Sequence, residues 1–213
     1  INVGALTLAT PTRAWVDDFF GADGLPRPEA VGQALDVTMP IDGTGLIRVA
    51  GRINAKRAVV LAGGEIVVTG SIQTGARFGA TPAQGFADVV NTNGLVNADR
   101  IVVEGGSIRI LASGAATIEG ELVADGGDGV DAGTVAVGAG TIALGTSARV
   151  AARGHGANSD GGQVLLVATT EARMTGGATI DVRGGEVSGD GGFAEVSGQR
   201  TVTLEGGRFL GNA

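Results

Sequence analysis

The sequence predicts an all-β fold, a parallel β-helix (solenoid) of short strands with glycine-rich corners. Three observations lead there. Short segments return at fixed offsets along the chain, and within each one apolar residues alternate with others at period 2. Glycine supplies 40 of the 213 residues while aromatics make up only 3%. Period 2 is the spacing of side chains on one face of a strand, and repeats of this length are the mark of stacked architectures.

The first repeat is Gly45-Leu46-Ile47-Arg48-Val49-Ala50-Gly51-Arg52-Ile53, which returns as Gly64-Glu65-Ile66-Val67-Val68-Thr69-Gly70-Ser71-Ile72 with five matches at an offset of 19. A longer unit starts at Gly106, Gly133, Gly162 and Gly192, at spacings of 27, 29 and 30. Each unit closes on a second strand, with Val123, Val150, Ile180 and Phe209 expected at matching places. Paired glycines such as Gly63-Gly64, Gly105-Gly106 and Gly161-Gly162 punctuate the strands and provide corners. A β-sandwich is the competing architecture; it needs hairpin turns and larger core residues between its sheets. The equal offsets favour stacking, and a narrow interior of Val, Ile, Leu and Ala explains the scarcity of rings.

Two regions interrupt the pattern. Residues 1–44 hold an opening strand and four of the five prolines (Pro11, Pro26, Pro28 and Pro40), with Trp15, Phe19 and Phe20. This segment is expected to cap or flank the solenoid, the alternative being an exposed aromatic binding patch. Asp17 and Asp18 are turn formers there. Residues 45–213 form the coils, with a loop excursion at about 75–94. Insertions at 126–132, 154–161 and 184–190 fall at one place in the repeat and are expected to decorate one edge.

Composition excludes several function classes. Hydrophobic residues are 43% of the chain, too many for a disordered one, and no strict Gly-X-Y period marks a collagen. The longest apolar runs, such as Ala58 to Ala62, are far short of a membrane-spanning helix. A net charge of −7 leaves no basic stripe for nucleic acid. With no cysteine there is no disulfide framework, thiolate nucleophile or cysteine metal site. Lys56 is the one lysine beside fourteen arginines, read as base-composition bias. The start at Ile1, without an initiator Met, is expected to mark a processed or truncated product.

The opening Asn2-Val3-Gly4-Ala5-Leu6-Thr7-Leu8-Ala9-Thr10 resembles the "NVGGL-A-T" segment of haemagglutination-activity domains. Gly51-Arg52-Ile53-Asn54-Ala55, with Val59 to Gly64, is similar to the "G-x-I-x-A … V-x-L-x-G" units of that family. Gly191-Gly192-Phe193-Ala194-Glu195-Val196-Ser197-Gly198 is similar to the "GGFxEVSG" segment of large two-partner-secretion adhesins. The resemblance, over nearly the whole chain, is to filamentous-haemagglutinin-like exoproteins. It implies a right-handed parallel β-helix, an outer-membrane secretion pore as partner, and folding at the bacterial outer cell surface. Secretion domains of the family carry an "NPNG"-type motif upstream, and none stands before Ile1, so residue-level carry-over is limited to Asn2, Val3 and Gly4.

The remaining residues offer three candidates for chemistry. His155, the only histidine, lies near Ser159 and Asp160, but a triad needs an oriented acid and a base aimed at its nucleophile. A solvated loop is expected there. Gly126-Gly127-Asp128-Gly129-Val130-Asp131 resembles one copy of the calcium nonapeptide, without its repetition. Asp128 and Asp131, with Asp160 and Asp190 in equivalent loops, are read as turn formers, calcium contact being the alternative. A glycosidase needs two carboxylates about 5–10 Å apart. The expected outward columns Arg109–Ala136–Leu165–Glu195 and Ala124–Ala151–Asp181–Leu210 gather no acids. No cofactor motif is present.

The function expected is therefore a non-enzymatic secreted surface protein, the β-helical segment of a two-partner-secretion adhesin, with its host or neighbouring-cell ligand unspecified. The alternatives are a polysaccharide-active enzyme on the same fold and a self-assembling extracellular fibre subunit. Val196, Val202, Leu204, Phe209 and Leu210 form a strand-bearing last coil, so either the rod continues or copies stack end to end.

Overall fold

The computed structural model describes residues 1–19, 27, 29, 39–75 and 106–212. β1 (Asn2–Ala9) leads into a single turn-and-a-half of helix, α1 (Arg13–Asp18). Next come β2 (Leu46–Val49), β3 (Arg52–Gly63), β4 (Glu65–Val68) and β5 (Ser71–Thr74). A longer run holds β6 (Ser107–Ala112), β7 (Ala115–Ile118), β8 (Glu121–Val123), β9 (Thr134–Leu144), β10 (Arg149–Ala151), β11 (Gln163–Met174) and β12 (Thr179–Asp181). β13 (Phe193–Gly198), β14 (Thr201–Leu204) and β15 (Arg208–Leu210) end the described chain. The fold is all-β, and every pairing between these strands is parallel.

The pairings sort into three ladders. The first runs β2, β4, β7, the second half of β9, the second half of β11, and β14. The second runs through the first half of β3, then β5, β8, β10, β12 and β15. In the third, β1 pairs β3 from Asn54 to Ala62, chiefly its second half, followed by β6, the first halves of β9 and β11, and β13. From β6 onward the chain visits third, first and second ladder in turn, four times over. Strands meeting one circuit apart run the same way, so among the described residues the only antiparallel pairing is the isolated bridge Pro11–Ile41.

Alternation decides what each ladder buries. Ile47 and Val49 pair in register with Ile66 and Val68, and all four are buried, as the offset of 19 predicts. Ile108, Val135 and Val164 form one inward column with no exposed surface. Burying such side chains stabilises by roughly 1.5–3 kcal/mol each. Outward neighbours such as Arg48 and Glu65 remain exposed. At the recurring corner between first and second ladders, Gly70 packs on the Gly51 carbonyl and Gly120 on the Gly70 carbonyl. A side chain at either would collide with backbone, so glycine is required by close approach rather than by a positive φ.

Three details depart from expectation. Leu122, not Val123, shares the inward column of Val150, Ile180 and Phe209. It follows that Val123, not Ala124, lies in the column of Ala151, Asp181 and Leu210; Ala124 belongs to the core. A one-residue slip exchanges the faces, because the side-chain period is 2. Asp17 and Asp18 sit in α1 rather than in a turn; the Thr12 hydroxyl caps this helix by accepting the Trp15 N–H at 3.4 Å.

The segment around α1 lies against the outer face of β3. Met39, Val60 and Ala62 form a small buried cluster joined by Ala9, Trp15 and Ile41. Trp15 is half-buried there and packs on Phe19, ring centroids 5.1 Å apart. Phe20 and the excursion at 76–94 lie outside the described residues. No described helix is long and apolar enough to cross a membrane.

Candidate functional site

Three loops, 124–133, 152–162 and 182–192, each carry the chain from the second ladder to the third, so they stack at one corner. Backbone bonds register the stack: Gly126 N–H donates to the Arg153 carbonyl (2.8 Å), Gly154 to Arg183 (3.0 Å), and Gly184 to Asn212 (3.2 Å). Aspartates repeat the theme further along. The Asp131 carboxylate accepts the Asp160 N–H at 2.8 Å, and the Asp160 carboxylate accepts the Asp190 N–H at 2.7 Å. Each carboxylate thereby fixes the loop one circuit on.

At the root of these loops lies a charged cluster. Asp125 and Asp181 are each 2% exposed. The Asp125 carboxylate accepts from the Arg153 backbone N–H (2.9 Å) and from its Nε (3.3 Å) and Nη2 (2.9 Å). Asp181 takes Nε and Nη2 of Arg183 side-on, both at 2.8 Å. Arg153 Nε also lies 3.6 Å from Asp181, and Arg149 Nη2 lies 3.9 Å from it. Burial works to raise the pKa of both acids, but the hydrogen bonds and charges of Arg153 and Arg183 outweigh it and hold both below the usual range.

His155 is buried, not part of a solvated loop. Its Nε2 stands 3.2 Å from Asp125 and its Nδ1 3.3 Å from Glu186. Glu186 is lowered to about 2, first by the Gly156 N–H (2.8 Å), then by its own backbone N–H and by His155. The hydroxyl of Ser159 is fully buried and donates to the His155 carbonyl at 2.6 Å, not to the ring. Ser159, His155 and Asp160 therefore do not form a triad.

A cleft of about 240 Å³ opens beside this cluster, lined by Arg153, Arg183, Glu186, Asn212 and the glycines at 154, 184 and 185. Neither outward column accumulates acids, as expected; the cluster forms because one charged loop position, Asp125–Arg153–Arg183, meets Asp181, the single acid of its column. The outward column that holds Asp181 is covered by the loops, and the neighbouring position adds Asp125. The signal was present in the triplets Ala124-Asp125-Gly126, Ala152-Arg153-Gly154 and Val182-Arg183-Gly184, an apolar–charged–glycine pattern at one place in the repeat.

Of the other singled-out residues, Asn2, Val3 and Gly4 lie elsewhere. Asn2 stacks on Asn54, whose side-chain amide donates to its oxygen at 2.7 Å. Val3 is half-buried against the core, and Gly4 marks the register shift between Val3 and Ala5. Asp128 bridges in parallel to His155. No group of three or more His, Cys, Asp or Glu among the described residues is arranged to hold a metal ion. The chain matches no protein-family model, no curated protein and no solved structure.

Proposed function

We propose that the three ladders are the faces of a right-handed parallel β-helix, and that the chain is the β-helical segment of a secreted, non-enzymatic surface protein of the two-partner-secretion adhesin kind. One observation carries the reading. From β6 onward the chain returns four times through the same three parallel ladders, stacking inward residues such as Ile108, Val135 and Val164 in one fully buried column. A stack in which each coil packs only on its neighbours suits an elongated surface scaffold. Each added coil buries aliphatic side chains, and that gain favours drawing a chain outward through an outer-membrane pore. The non-enzymatic reading is supported by the engagement of both buried carboxylates with arginine.

The test is location and attachment together. Protease added to intact producing bacteria should digest the protein without lysis, and beads coated with the 213-residue chain should adhere to cell surfaces above albumin-coated controls. Protection of the protein in intact cells, with no adhesion, contradicts the proposal.

A further inference from the structure

We draw no further inference here: the strongest candidate, the half-exposed apolar strip of Leu111, Leu165 and Val167 on the outer face of the third ladder, has nothing in the structure to show what covers it.

Discussion

Ile66 stands directly opposite Ile47 in the parallel ladder, nineteen residues later in the chain, and both side chains point into the same buried column. Val68 repeats the relation with Val49 and with Ile118 on its other side. Val68→Asp should therefore bury an unpaired charge and unfold the chain or cost several kcal/mol, well above the roughly 1–3 kcal/mol seen for a neutral unsatisfied group. Val67→Asp, one residue away on the outer face beside Arg48, should cost less than about 1 kcal/mol. Urea denaturation of the pair decides it; equal losses would contradict the alternation.

The corner acids give a signed pH dependence. Asp125, Asp181 and Glu186 all have folded pKa values below their ordinary ones, Glu186 at about 2 against 4.5. A lowered folded value contributes stability that is complete above the unfolded pKa and is lost as pH falls through the folded one. The urea midpoint should stay level between about pH 7 and 5 and fall steadily from about pH 4 towards 2. Glu186→Gln should make the fall shallower. A midpoint that rises on acidification from about pH 5 to 3 contradicts the assignment.

Asp131 and Asp160 spend their carboxylates on backbone N–H groups of the next loop. Asp131→Ala should cost about 1 kcal/mol through the loss of one such bond, with faster amide exchange at Asp160. Melting with and without chelator should agree within about 2 °C, because a metal bound only by the folded state adds stability by mass action. A drop of more than about 10 °C in chelator would return these loops to the calcium reading.

The half-exposed inward residues of β14 and β15 make an apolar edge. Sedimentation of the 213-residue chain over a hundredfold concentration range should show association, and Leu204→Lys should suppress it, as charge does on natural sheet edges. If both proteins sediment identically, this edge is not an interface.

The strand faces were legible because period 2 and fixed offsets are local signals: Ile47, Ile66, Val135 and Val164 fall where the pattern put them. The third ladder's outward column Arg109–Ala136–Leu165–Glu195 was likewise readable. In the second ladder Val150, Ile180 and Phe209 pair as expected, but β8 slips by one, because it has three residues and the step from Leu122 to Ala124 is apolar throughout. The charged corner was hidden for a different reason. Asp125, Arg153 and Asp181 become neighbours only when three loops fold back over one face, and His155 beside glycines reads as a solvated turn until Asp125 and Glu186 close on it. α1 escaped notice since six residues carry too little periodicity to register.

Cross-linking tests the stacked register most directly, and the absence of native cysteine makes it clean. Ala143 and Arg173 are paired one circuit apart on the outer face of the first ladder, and Thr203 lies one circuit further. Neighbouring strands bring two Cα atoms within the range a disulfide spans, about 4.4–6.8 Å, whereas strands two apart do not. The double variant Ala143→Cys with Arg173→Cys should oxidise rapidly to an intramolecular disulfide in the folded chain and raise its melting temperature. Ala143→Cys with Thr203→Cys should remain reduced under the same conditions. Efficient closure of the second pair, or failure of the first in folded protein, would contradict the account.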